Sequence, residues 1–139
     1  MEKNNATITI INRSDAFGDD GMKLVTIGGY YEKDKKKYIL YDENEEMGMA
    51  NCSVIIKVSA DEIVVSRKGT FNSKMVYQTG KTTEFMYHLP YGDMPVILHT
   101  KKIRNNLCDT GGKLNLFYSL DMQGETFEHS MSIEVKADI

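Results

Sequence analysis

The chain is 139 residues long, with 17 Lys and Arg against 20 Asp and Glu, a net charge of −3, 41% hydrophobic residues, two Cys, two Pro and no Trp. That length folds as one domain, 1–139, and hides roughly two-thirds of the surface its unfolded chain exposes, so a core forms without disulfides or a structural metal. The acidic balance argues against a general binder of nucleic-acid phosphates or of anionic membranes, and the longest apolar run, Tyr38-Ile39-Leu40-Tyr41, is far short of the roughly 20 residues a membrane span needs.

Period-two alternation, broken by turn residues, runs the length of the chain, and no stretch keeps a period of 3.6. In order, the predicted strands are Thr7 to Asn12, Lys23 to Glu32, Lys37 to Asp42, Cys52 to Val58, Glu62 to Arg67, Lys74 to Gln78, Glu84 to Leu89, Val96 to Ile103, Lys113 to Met122 and Phe127 to Lys136. Between them lie turn signals such as Lys33-Asp34-Lys35, Thr79-Gly80, Tyr91-Gly92-Asp93, Asp109-Thr110-Gly111-Gly112 and Gln123-Gly124, mostly of hairpin length. Three segments read differently: Ser14 to Met22 as a polar loop, Asp42 to Asn51 as an acidic rim or short helical turn, and Ile103 to Leu107 as a half-turn.

The last two strands show the phase best. Leu114, Leu116, Tyr118, Leu120 and Met122 share one face against Lys113, Asn115, Ser119 and Asp121, and Phe127, His129, Met131, Ile133 and Val135 repeat the pattern. Each strand thus has one buried and one wet face. Ten antiparallel strands in hairpin order leave two long edges unless the sheet closes. The fold class is therefore all-β, an antiparallel up-and-down barrel of about 8–10 strands; a two-sheet sandwich is the alternative, since periodicity does not see closure.

Catalytic and metal templates fail. Cys52 and Cys108 share no ligand spacing with each other or with His88, His99 and His129, so two free thiols, no metal and no cofactor are expected. The Asn-x-Ser/Thr triplets at Asn5, Asn12 and Asn51 find no export signal, and a cytoplasmic location is expected. Gly80-Lys81-Thr82 imitates the end of a P-loop, yet the first glycine of that motif would fall at Met75, and no helix follows to cradle the phosphate. Asp42, Glu43, Glu45 and Glu46 cluster as a rim rather than as paired acids across a groove. Lys33, Lys35, Lys36 and Lys37 beside Tyr30, Tyr31, Tyr38 and Tyr41 fit single-stranded nucleic acid. They fit a soluble, edge-protecting hairpin tip as well, and the acidic total favours the tip.

More telling are polar side chains in step with a buried face, because an unpaired buried group costs roughly 1–3 kcal/mol. His129 shares phase with Phe127 and Met131, Arg67 with Ile63 and Val65, Tyr118 with Leu116 and Leu120, Glu43 with Ile39 and Tyr41, and Tyr87 with Phe85 and Leu89. If the barrel closes, Tyr41, Glu43, Arg67, Tyr87, Tyr118 and His129 converge inside it. They then line a small-molecule pocket, with Arg67 as a clamp for a carboxylate or phosphate. Alternatively, an internal Arg67–Glu43 pair fixes strand register and binds nothing. Of the nine Met, those at Met75, Met86, Met94, Met122 and Met131 fall within strands, where a thioether fills core gaps or lines an adaptable pocket.

Tyr38-Ile39-Leu40-Tyr41-Asp42-Glu43, Ser66-Arg67-Lys68-Gly69, Tyr87-His88-Leu89-Pro90-Tyr91-Gly92 and the run from Gly112 to Leu120 followed by Gly124 resemble, in order and spacing, the YwiB-like family of small bacterial proteins of unknown function. The resemblance covers nearly the whole chain. It implies a closed, calycin-like (lipocalin-like) barrel with an internal cavity, and it implies no ligand. Lipocalins carry a Gly-x-Trp near the first strand, and this chain has no Trp; fatty-acid-binding proteins place an Arg-x-Tyr where Glu128-His129-Ser130-Met131 stands here. Their ligands are therefore not carried over, because fold does not fix function.

The leading expectation is a non-enzymatic barrel holding a small anionic or amphipathic ligand, with no membrane partner and nucleic acid disfavoured. The second is a protein- or RNA-interaction module using the basic 33–37 hairpin and the acidic 42–46 loop. A third, an enzyme using His129 with Glu43 or Tyr118, needs proton-transfer distances that sequence does not supply.

Overall fold

The computed structural model describes residues 5–14, 22–43, 51–70, 72–89 and 92–137, with Met22 and residues 87–89 by backbone alone. Among these the chain forms β1 (Ala6–Ser14), β2 (Met22–Lys33), β3 (Lys36–Glu43), β4 (Cys52–Val58), β5 (Ile63–Gly69), β6 (Ser73–Tyr77), β7 (Thr82–Leu89), β8 (Gly92–Cys108), β9 (Gly111–Met122) and β10 (Glu125–Ala137). Every paired neighbour is antiparallel, in the order β6-β5-β4-β3-β2-β1-β10-β9-β8-β7. The first and last strands close the sheet through a ladder from Ala6↔Ala137 to Ser14↔His129. The two ends of that order, β6 and β7, face each other across a seam. There the Thr83 hydroxyl donates to the Val76 carbonyl at 3.1 Å. The result is a nearly closed ten-stranded barrel, as the alternation predicts.

Two local devices set its shape. β2 pairs with β1 up to Gly28 and with β3 from Gly29 onward, so it turns the corner between the two halves of the barrel. A Cβ on Gly28 would lie 2.1 Å from the Leu40 carbonyl oxygen and 2.6 Å from Ile8 Cδ1; only glycine lets the backbones approach so closely. In β8 the register slips between Thr100 and Lys102, a bulge that bends the strand. Thr100 itself takes backbone hydrogen bonds from and gives them to the β6–β7 turn, through Gly80 N at 2.9 Å and the Lys81 carbonyl at 3.0 Å.

The inward face is mostly apolar, with Ser14, Glu43, Ser73 and Thr100 as buried polar exceptions. Ile8, Ile39, Ile56, Val65, Tyr77, Val96, Leu98, Leu114, Leu116 and Ile133 are fully buried and belong to one continuous cluster that draws on every strand of the barrel. Each such side chain contributes roughly 1.5–3 kcal/mol relative to exposure, which is what holds the sheet curled.

Three expectations need correction. Ile103 to Leu107 is no half-turn: Ile103 and Leu107 pair with Leu116 and Gly112, and β8 runs on to Cys108. Gly111 and Gly112 open β9 rather than closing a turn. Ser14, Met22, Asp42 and Glu43 lie in strands, whereas 15–21 and 44–50, the remainder of the two predicted loops, fall outside the described residues. Among the described residues, no helix is long and apolar enough to cross a membrane.

Candidate functional site

Directly opposed residues of an antiparallel sheet project to the same face, so strand register lays out the interior rung by rung. On one side of the barrel Ser14, His129, Tyr118 and Thr100 stand opposite one another across β1, β10, β9 and β8. On the other side the rung is Tyr41, Val54, Arg67 and Ser73, across β3 to β6. Two polar rungs thus meet at one level of an interior otherwise built mostly from apolar side chains.

Tyr118 joins them. Its ring stacks on His129 at 5.3 Å and 7°, and Tyr77 of β6 meets it edge-on at 4.9 Å and 75°. Arg67 Nε donates to Glu43 Oε1 at 3.2 Å, and both side chains are largely buried, at 11% and 5% exposure. Burial pushes the Tyr41 hydroxyl well above the usual tyrosine range; the Arg67 guanidinium, which hydrogen-bonds it, works against that rise. Five of the six residues singled out from the sequence therefore share one interior layer, with Tyr41, Glu43 and Tyr118 buried and Arg67 and His129 half-buried. The Tyr87 side chain lies outside the described residues, although its backbone pairs with Met94 in β7–β8. Ser14, Ser73, Tyr77 and Thr100 are further members that are not among the six. Thr100 carried a legible signal, since it shares phase with Val96 and Leu98, and so did Tyr77, in phase with Met75.

The layer is reached from outside at the β6–β7 seam. A cleft of about 620 Å³ opens there, lined by Ser66, Arg67, Lys68, Asn72, Ser73, Lys74 and Val76 on one lip and Glu84, Phe85 and Met86 on the other. Its polar lip carries Arg67, Lys68 and Lys74, and its far lip carries the apolar Phe85 and Met86 together with Glu84. Ser73 Oγ is buried in this wall with no hydrogen-bond partner among the described residues, as is Thr100 Oγ1 within the layer. A buried hydroxyl left without a partner is costly unless something arrives to satisfy it.

Two other groupings stand apart. On the outer face Thr82 Oγ1 lies 2.7 Å from His99 Nδ1 and His99 Nε2 lies 3.0 Å from Asp121 Oδ2. The spacing mimics a nucleophile–base–acid chain, but neither cleft seen here includes these residues, and Thr82 is exposed. The Thr126 hydroxyl and then His99 hold Asp121 below the usual carboxylate range, as expected of cross-strand hydrogen bonding. A smaller cleft of about 220 Å³ lies among Tyr30, Tyr31, Glu32, Lys37 and Asp109, where the Tyr30 hydroxyl donates to the Cys108 carbonyl at 2.6 Å. Among the described residues no three His, Cys, Asp or Glu side chains gather as metal ligands, and Cys52 and Cys108 are both free.

The comparisons agree with this architecture. Over 115 residues the chain is 31% identical to the uncharacterized beta-barrel protein YwiB of Bacillus subtilis (strain 168), spanning 80% of this chain and 79% of that one. The crystal structure of the ywiB protein from Bacillus subtilis superposes with a TM-score of 0.81 at 25% identity, covering 99% of this chain and 94% of that one. Residues 7–134 match the family described as Domain of unknown function (DUF1934). The chain belongs to that family of β-barrel proteins.

Proposed function

We propose that the protein is a non-catalytic binding barrel that takes a small amphipathic anion into the β6–β7 cleft. The anionic head sits at the lip formed by Lys68, Lys74 and Ser73, beside the Arg67–Glu43 pair, and the apolar part lies against Val76, Phe85 and Met86. The observation that carries this reading is the buried Ser73 hydroxyl, which lacks a partner among the described residues and lines the open cleft from the inner face of β6, beside the cationic lip that Lys68 and Lys74 form on the outer face. Lys donors and a hydroxyl suit a carboxylate or phosphate, and a mostly apolar cleft with a few placed polar groups is the usual form of a small-molecule site. The pairing of Arg67 with Glu43 shifts the role foreseen for Arg67: it positions the polar wall, and the lysines supply the net charge. The free thiols of Cys52 and Cys108 suit a reducing cytoplasm, which completes the reading.

Thermal unfolding with decyl phosphate, decanoate, decanol and inorganic phosphate tests it. A ligand that binds only the folded state stabilises by about 2.7 kcal/mol at a hundred times its Kd, so both amphipathic anions should raise Tm by several degrees. Decanol and inorganic phosphate should do much less, and Lys74→Glu should abolish the effect. An unchanged Tm with both anions contradicts the proposal.

A further inference from the structure

Register also lays out the outer face of β2 to β6, and it is one-sided in charge. Its rungs read Lys33–Lys36, then Tyr31–Tyr38–Lys57–Val64–Val76, then Leu40–Ile55–Ser66–Lys74, then Asp42–Ser53–Lys68. Within these rungs five lysines stand against one acid, Asp42, with Glu62 bordering them at the β4–β5 turn, on a chain whose net charge is −3. Among the described residues no carboxylate pairs with any of the five. Tyr31 and Tyr38 stack on each other within this field, ring centroids 5.2 Å apart and 16° from parallel, each partly exposed, and Ile55 beside them is 42% exposed. With strands about 4.8 Å apart, the face is roughly 20 Å across.

We propose that this face binds single-stranded nucleic acid, the lysines contacting phosphates while unpaired bases lie on the Tyr31–Tyr38 pair and Ile55. Charge complementarity sets a polyanion as the partner. The aromatic pair on an open sheet face favours unpaired bases, which expose a flat surface for stacking; a duplex hides its bases, and no helix is present among the described residues to enter a groove. The whole-chain charge disfavoured nucleic acid because a total averages over faces that strand register keeps apart.

The test is fluorescence anisotropy of a labelled, mixed-sequence 12-nucleotide strand, as RNA and as DNA, on the intact chain. Contacts to about four phosphates would weaken binding about fifty-fold between 50 and 200 mM salt. The Lys36→Glu/Lys57→Glu variant should bind at least tenfold more weakly, and Tyr38→Leu at least fivefold more weakly, with each variant's fold confirmed by circular dichroism. Absent binding at 50 mM salt, a duplex bound as tightly as the strand, or affinity unmoved by the lysine reversals overturns the proposal. So does capture by phosphatidylserine vesicles in place of the strand. Lys36, Lys57, Tyr31 and Tyr38 do not line the β6–β7 cleft, so failure here leaves the amphipathic-anion reading standing, and the reverse holds too.

Discussion

Arg67 and Glu43 form a buried pair whose worth lies in its completeness. Removing one partner of such a pair strands the other charge away from water, at about 3–5 kcal/mol, while replacing both with apolar groups is often neutral. Arg67→Met should therefore lower stability by about 3 kcal/mol in urea unfolding, and Arg67→Met/Glu43→Leu should recover most of the loss; a double variant as weak as the single would mean the pair is not the source. The buried tyrosines predict an alkaline limit to stability. Burial first, then Cys108, Asp109 and Glu32, push Tyr30 up to about 12, and Tyr41 is raised by burial as well. A hydroxyl whose folded pKa lies above the unfolded value of about 10 adds stability that is fully present below that pH and is lost as pH climbs toward the folded value. Urea midpoints should thus fall between about pH 10 and pH 12, and Tyr30→Phe should flatten the fall. Tyrosinate absorbance rising in step with unfolding would confirm the link.

Strands are set by alternation and corners by single backbones. The β2–β3 turn places Asp34 and Lys35 at φ 53° and 65°, the two positive values of a type I′ hairpin. A non-glycine residue there carries about 1–2 kcal/mol of strain, and glycine's greater chain entropy offsets about half of that. Lys35→Gly should accordingly stabilise by up to about 1 kcal/mol, seen as a Tm rise. Gly28→Ala should cost about 2–3 kcal/mol, because its Cβ would meet the Leu40 carbonyl and Ile8. Nine of the ten strands were legible to within two or three residues, since turn residues and one-sided burial mark them independently. β8 was not: the bulge at Thr100–Lys102 shifts the alternation by one residue, so Ile103 to Leu107 fell out of phase and read as a turn.

For the molecule as a whole, the polar layer was legible because Glu43, Arg67, Tyr118 and His129 stood in apolar phase, and closure between β1 and β10 brought them together. The seam was not legible. Which edges stay unladdered depends on strand tilt and stagger around the barrel, and alternation along one strand carries no record of either. Yet the seam is where the polar layer meets the outside, since Arg67 and Ser73 are among the residues that line the cleft at β6 and β7. The most direct measurement is a backbone amide NMR titration with decyl phosphate. Saturable shifts confined to residues 66–68, 72–76 and 84–86, and weakened by Lys74→Glu, are the predicted result. A spectrum unmoved at millimolar ligand, or shifts centred on any other part of the barrel, would contradict binding at the seam.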